Sequence, residues 1–239
     1  MAGPLILHIE TATDICSVAL SEGEKLLALE ESGPERSHAT LLNRFIRQVF
    51  SAAGMEPGQI DAVSVSKGPG SYTGLRIGVS TAKGFSYALR KPLIASGTLV
   101  NMAFGALENP DIKRMAEQYG DRLLLCPMID ARRMEVYSGF YTVQTFEFKK
   151  VSADIIESGS YSDILAEYRV CFFGSGADKC RGVLDHPHAR FPEGITPSAA
   201  FMLRPALERF GKEQFEDVAY FEPFYLKDFV ATRPGKKVL

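Results

Sequence analysis

Apolar residues near the start of the chain fall into three short runs separated by polar turns. The runs cover residues 5–9, 16–20 and 26–30. Each has the length and apolar content of a β-strand, and the short turns predict an antiparallel meander. A helix is predicted next, over residues 37–53, because its apolar residues repeat along one broad stripe. Ser37 is the predicted N-cap and Gly54 the predicted end of this helix.

Strand and helix patterns alternate after the meander. The sequence predicts a strand at 62–66, a glycine-rich loop at 67–74, a helix over 73–89 and a strand at 92–95. Three meander strands followed by alternating helix and strand indicate a mixed α/β sheet, not an all-parallel Rossmann array.

The pattern partly restarts from about residue 105. Further strands are predicted at 123–129, 134–143 and 169–173, and a short helix is predicted to end at 116–119. A last helix is predicted to begin with Thr196 as cap and Pro197 at its first position, and to end near Gly211. The two halves therefore look like degenerate copies of one α/β unit, the second being less complete.

This repetition divides the chain into two predicted lobes, with a boundary near residues 99–106. The amino-terminal lobe is predicted at 1–104 and a smaller carboxyl-terminal lobe at 105–232. The basic, polar end of the chain, residues 233–239, is predicted to be a disordered tail.

Composition is that of an ordinary globular protein, with 46% hydrophobic and 23% charged residues. The net charge of −2 provides no overall positive field for nucleic acid, so this chain is not expected to be the main electrostatic platform for an RNA. The four cysteines form no C-x-x-C pair and are expected to be reduced. With no secretory signal pattern and no apolar run long enough to span a membrane, the predicted location is the cytoplasm.

Glycine is unusually frequent in residues 67–84, which read KGPGSYTGLRIGVSTAKG. Gly74, Gly78 and Ala82 recur every four residues of the predicted helix, where each glycine costs about 0.5–1 kcal/mol relative to alanine. Two explanations are open: close packing of this helix on its own sheet, or a flat face on which a helix of another protein docks. The spacing fits neither a P-loop nor the G-x-G-x-x-G dinucleotide fingerprint.

This segment, the preceding ILHIETATDICSVAL and the following PLIASGTL together resemble the TsaB/YeaZ family. The resemblance continues in IDARRMEVY at 129–137 and in the shorter stretches GSGA at 174–177 and PFYLK at 223–227. It implies the two-lobed fold of the actin/Hsp70/sugar-kinase superfamily. It also implies pairing with TsaD, a larger paralogue that transfers the threonylcarbamoyl group onto adenosine 37 of tRNA, and with TsaE, an ATPase that completes the assembly.

Two positions distinguish this chain from the TsaD paralogue. TsaD carries a metal-binding H-x-x-x-H on the helix after the strand that corresponds to residues 92–95, and imidazoles spaced by four lie on one helix face. Thr98 and Met102 occupy the corresponding positions here. The resemblance therefore implies a subunit with no metal site and no catalytic residues. The alternatives are a stand-alone actin-like ATPase and a metal-dependent glycoprotease-like hydrolase, the second of which needs the same missing histidines.

The resemblance places the docking surface for TsaD, or for a second copy of this chain in a homodimer, on the two helices predicted at 37–53 and 73–89. The predicted interface residues are Leu41, Leu42, Phe45, Gly74, Ile77, Gly78 and Phe85.

A nucleotide site between the lobes is the second candidate, since acidic residues at the end of the first strand approach phosphates through Mg²⁺ in the superfamily. It would bind ATP or ADP with Mg²⁺, although no intrinsic cofactor is required for the predicted function. The alternative is that the turn after the first strand and the turn at 174–176 are inherited from the superfamily and bind no nucleotide. The candidate residues are Glu10, Thr11, Thr13, Gly174 and Gly176.

Overall fold

A computed structural model of the protein describes residues 3–33 and 38–227. Its strands are β1 (Leu5–Glu10), β2 (Ser17–Glu22), β3 (Lys25–Glu31), β4 (Ala62–Ser66), β5 (Leu93–Ser96), β6 (Leu123–Asp130), β7 (Glu135–Thr142), β8 (Lys149–Ile155), β9 (Arg169–Phe173) and β10 (Ala189–Arg190). Its helices are α1 (His38–Ala53), α2 (Tyr72–Leu89), α3 (Thr98–Ala106), α4 (Pro110–Tyr119), α5 (Ser162–Glu167) and α6 (Leu203–Gly211). Short 3₁₀ turns occupy Pro57–Gln59, Gly120–Arg122, Asp178–Cys180 and Ala199–Met202.

The first sheet has the strand order β3-β2-β1-β4-β5. The strands β1, β2 and β3 pair antiparallel, while β4 runs parallel to β1 and β5 parallel to β4. The predicted meander and the mixed α/β sheet are therefore confirmed. Residues 5–10 are all buried because β1 lies at the centre of the sheet, with helices covering one face and the 3₁₀ turn before α6 contacting the strand.

The second sheet has the order β8-β7-β6-β9-β10, and each pair has the same parallel or antiparallel sense as its counterpart in the first sheet. The predicted duplication is confirmed, as is the degenerate character of the second copy. Between its strands, the 6-residue α5 stands where the first copy has the 16-residue α1. A 3₁₀ turn of 3 residues replaces the 18-residue α2, and β10 has only 2 residues.

Each sheet has its own hydrophobic core. In the first, the stripe of α1 that includes Leu42, Phe45 and Val49 packs against β2 and β3, in one core with residues of β1 and β4. In the second, α3 contributes Leu99 and Met102 to a core shared with β6 and β9. The predicted boundary at 99–106 thus lies within a helix that packs on the second sheet, whereas α6 returns to contact β5 of the first. No helix within residues 3–33 or 38–227 is both long and apolar enough to cross a bilayer.

Two local expectations need correction, and two more lie outside the described part of the chain. Thr196 does not cap the last helix: the side chain of Ser198 accepts from the Ala200 amide, a 3₁₀ turn follows, and α6 begins at Leu203. The segment 144–168, for which no element was predicted, contains β8 and α5. The predicted cap Ser37 and the predicted tail at 233–239 lie outside the described residues, whereas Gly54 follows α1 with a φ of 65°, as predicted.

Candidate functional site: the cleft between the lobes

The glycines at the start of α2 pack against the turn that follows β1. A Cβ on Gly70 would lie 2.1 Å from the Ala12 carbonyl oxygen, and one on Gly74 would lie 2.1 Å from the Thr11 carbonyl oxygen. A Cβ on Gly78 would lie 2.1 Å from Oγ1 of Thr11. A hydrogen bond also joins the turn to α2: Thr11 Oγ1 donates to the Gly74 carbonyl oxygen over 2.8 Å. Close packing within the chain thus accounts for Gly74 and Gly78, but the contact is with the turn after β1 and not with the sheet that the first explanation named.

Glu10 lies at the carboxyl end of β1 and is fully buried beneath this turn. Its Oε1 accepts a hydrogen bond from the Ala12 amide over 2.7 Å, which holds the turn in place. Burial raises the pKa of Glu10 to about 7, and the amide of Ala12 and hydroxyl of Ser66 only partly oppose that rise. The carboxyl group therefore points into the fold, where it positions backbone.

Asp130 occupies the equivalent place at the end of β6, and it is exposed. Its Oδ1 accepts from the Arg132 amide over 2.9 Å and from the Lys179 ammonium. Partial burial opposes its ionisation, but the Lys179 ammonium and the Arg132 amide hold the pKa of Asp130 below its usual range. Of the two strand-end acids, Asp130 is thus the one that remains charged and accessible.

A cleft of about 710 Å³ separates these two strand ends. Five segments far apart in the sequence line it: the turn after β1, the loop before α2, the β6–β7 hairpin, Ser175 after β9 and residues 225–227. Two of the lining residues, Tyr72 and Tyr225, pack on one another with ring centroids 4.8 Å apart, and the Arg76 guanidinium lies 4.1 Å from the Tyr72 ring centroid. Tyr72 and Tyr225 were not among the predicted site residues, although each lies in a segment that carries the family resemblance.

The predicted nucleotide residues divide between the cleft and the interior. Thr13 lines the cleft, while Glu10 and Thr11 are buried. A Cβ on Gly174 would lie 2.5 Å from the Met128 carbonyl oxygen, and one on Gly176 would lie 2.9 Å from a methyl carbon of Val136, so both glycines serve packing against the second sheet. Binding of ATP or ADP with Mg²⁺ stays a prediction.

The predicted interface residues also divide. Leu41, Leu42, Phe45, Gly74 and Gly78 are buried in the first lobe, whereas Ile77 and Phe85 are half-buried. The five buried residues cover the chain's own sheet and turn, because both helices direct them inward. That α1 and α2 meet a partner stays a prediction, and the side chains available for it lie on the opposite, exposed side of these helices.

Thr98 and Met102, at the positions of the paralogue's metal-binding histidines, have packing roles here. Thr98 Oγ1 lies 2.7 Å from Ser66 Oγ, and Met102 is buried in the core of the second lobe. Within residues 3–33 and 38–227, no three His, Cys, Asp or Glu side chains are grouped so that they would hold a metal ion.

Known proteins resemble the chain over most of its length. A family model described as TsaD, tRNA N6-adenosine threonylcarbamoyltransferase, matches residues 32–161. The tRNA threonylcarbamoyladenosine biosynthesis protein TsaB of Escherichia coli (strain K12) is 30% identical over 242 residues, which cover 97% of this chain and 99% of that protein. The protein of the same name from Haemophilus influenzae is 28% identical over 249 residues, covering 97% and 98%. A crystal structure from Pseudomonas aeruginosa, of a protein with similarity to peptidase YEAZ, superposes with a TM-score of 0.79 at 25% identity, covering 94% of this chain and 100% of that chain.

The duplicated sheets with a cleft between their strand ends define a two-lobed α/β protein of the actin-like class. Within that class, the sequences that match this chain over nearly its full length are TsaB proteins. The chain belongs to the TsaB (YeaZ) family.

Proposed function

We propose that this chain is an accessory, non-catalytic subunit of the machinery that attaches threonylcarbamoyl groups to tRNA adenosine. Its membership in the TsaB family is the observation that carries the proposal. The packing roles of Thr98 and Met102 support it, because the side chains at these positions are committed to the interior and are poor ligands for a metal. The partners are a TsaD-type paralogue and a TsaE-type ATPase, and tRNA is reached through that complex.

The docking face in this proposal is the exposed side of α1 and α2. Ser80, Gly84 and Ala88 follow one another at intervals of four on α2, and all three are exposed. A Cβ on Gly84 would meet nothing within 4 Å, so packing within the described chain gives no reason for a glycine there. Nearby, Tyr87 is 81% exposed. A flat stripe beside an exposed aromatic ring permits close approach of a partner helix.

Substitution of Gly84 tests this face. Gly84→Arg is expected to abolish binding to a purified TsaD-type partner in isothermal titration calorimetry, because the side chain projects outward into the contact. Gly84→Ala, which adds one methyl group, is the conservative variant, and Gln118→Arg on the exposed side of α4 is the control for an added charge. Gly78 is unsuitable for this test because a bulky residue there would collide with Thr11 of the chain itself. Unchanged affinity in Gly84→Arg would rule out this docking face.

Reconstitution tests the function as a whole. Modification of tRNA by the TsaD-type and TsaE-type partners is expected to require this chain, and the chain alone is expected to turn over no ATP in the presence of Mg²⁺. Metal-dependent ATP turnover by the purified chain would instead favour the stand-alone ATPase. Full modification without the chain would contradict its role as a subunit.

A further inference from the structure

Residues 216–227 cross the first lobe without regular secondary structure, yet they are held along their length. The segment begins at the edge of the first sheet, where the Glu216 amide donates to the Leu93 carbonyl over 2.8 Å. It then runs antiparallel to α2. Lys83 Nζ donates to the carbonyl oxygens of Ala219 and Phe221 over 3.2 and 2.9 Å. Further along, Arg76 Nε donates to the Tyr225 hydroxyl over 3.2 Å, one of several contacts that attach the segment to the first lobe.

The loop before α2 is shaped to receive this segment. The Phe224 amide donates to the Lys67 carbonyl over 2.7 Å. Gly68 has a φ of 113°, in the region that favours glycine, and a Cβ there would lie 2.5 Å from the Phe224 carbonyl oxygen. The backbones of the loop and the segment are therefore in contact, with no room for a side chain between them.

The last described residue reaches the other lobe. Lys227 Nζ forms an ion pair with Oε2 of Glu135, the first residue of β7. The Lys227 side chain is 45% exposed and that of Glu135 is 20% exposed. Tyr225, Leu226 and Lys227 line the cleft at this point, so the segment passes over its mouth.

We propose that residues 216–227 form a clasp, anchored on the first lobe and latched to the second lobe by the ion pair between Lys227 and Glu135. The two ends differ in strength: several hydrogen bonds and an aromatic contact hold the first-lobe end. The latch is a partly exposed ion pair, a weak interaction that salt screens. The latch is therefore the element that opens first, and it sets how often the lobes separate and the cleft is uncovered.

The distance between the lobes tests the clasp. All four native cysteines are buried, so spin labels attach selectively to Ser51→Cys on α1 and Asp163→Cys on α5, both exposed positions. Double electron–electron resonance then gives the distribution of distances between the labels. In Lys227→Gln, the population at longer distances is expected to rise about two- to fivefold, the factor for loss of a partly exposed ion pair. Glu135→Gln is expected to act in the same way, and 1 M NaCl is expected to shift the unsubstituted pair in the same direction.

Two variants separate the latch from a general effect of charge. Lys212→Gln, which neutralises an exposed lysine outside the clasp, is expected to leave the distribution unchanged. Reversal of the pair, Lys227→Glu with Glu135→Lys, is expected to restore it. Distributions in Lys227→Gln and Glu135→Gln that match the unsubstituted protein would overturn the clasp, as would failure of the reversed pair to restore it.

Discussion

Glu10 should make the protein less stable as the pH rises, and Glu10→Gln should remove that loss. The fold buries its carboxyl group completely and raises its pKa from 4.5 to about 7. Because the folded pKa exceeds the unfolded value, the contribution of Glu10 to stability is fully present below pH 4.5 and is lost as the pH rises through about 7. Each pH unit between 4.5 and 7 lowers the free energy of unfolding by about 1.4 kcal/mol, so the total decrease is about 3 kcal/mol.

Glutamine keeps the shape of the protonated carboxyl group and retains an oxygen that can accept from the Ala12 amide. Near pH 4.5 the variant and the unsubstituted protein should therefore have similar free energies of unfolding. The variant should become the more stable by about 3 kcal/mol at pH 8, because it has no charge to bury. Urea unfolding measures this difference. The transition is followed by far-ultraviolet circular dichroism, because the chain has no tryptophan whose fluorescence could report it. A difference that stays constant from pH 4.5 to 8 would refute the reasoning.

His8 provides the matched control with the opposite sign. It lies two residues earlier on β1 and is fully buried, and its Nε2 lies 2.8 Å from Ser21 Oγ. Burial lowers the pKa of His8 from 6.5 to about 3, so its contribution is present above pH 6.5 and is lost as the pH falls through about 3. The stability of His8→Gln relative to the unsubstituted protein should therefore improve toward acid, whereas that of Glu10→Gln should improve toward base.

Two further substitutions, one in the loop before α2 and one in the core of the second lobe, test the packing by the same urea measurement. Gly70→Ala should lower the free energy of unfolding by about 1–3 kcal/mol, because its methyl group would meet the Ala12 carbonyl. The control Gly58→Ala, with open space around the added Cβ, should change it by less than about 0.5 kcal/mol. Equal effects of the two substitutions would show that the loop around Gly70 moves away without cost. Phe140→Ala should cost about 3–5 kcal/mol because the ring is fully buried in a core that β7 shares with β6, β9 and α5. A cost below about 1 kcal/mol would mean that this core collapses around the vacated volume.

Local periodicity explains which elements were predictable from the sequence. The meander and α1 were predictable because short apolar runs and a stripe at helical spacing are properties of adjacent residues. The edge strand β8 was missed because it reads KKVSADI, with few apolar residues and a half-buried surface. At six residues, α5 is too short to show a helical period. The misplaced start of the last helix followed from Pro197, whose fixed φ also suits the extended chain before Ser198.

The candidate site was less predictable because its contacts join residues far apart in the chain. The spacing of Gly74 and Gly78 showed that something approaches α2 closely, but the same spacing fits the chain's own turn and a foreign helix. Only the fold places Thr11 at 2.1 Å from the added Cβ positions. The clasp has no period, and Tyr225 meets Arg76 across 149 positions of sequence. Motif resemblance marked both segments without showing that they touch.

The incomplete duplication explains why the two strand-end acids differ. In the first copy, the loop before the long α2 lies on the turn after β1 and encloses Glu10, whose pKa rises in consequence. In the second copy a 3₁₀ turn stands where α2 would be, and it brings Lys179 to Asp130 without covering that residue. The reduced second copy thus leaves one wall of the cleft open and charged, and the clasp crosses the cleft beside that wall to reach Glu135. If Lys179 were replaced by alanine, Asp130 would lose its cation and its pKa would rise, because partial burial would then be opposed only by the Arg132 amide.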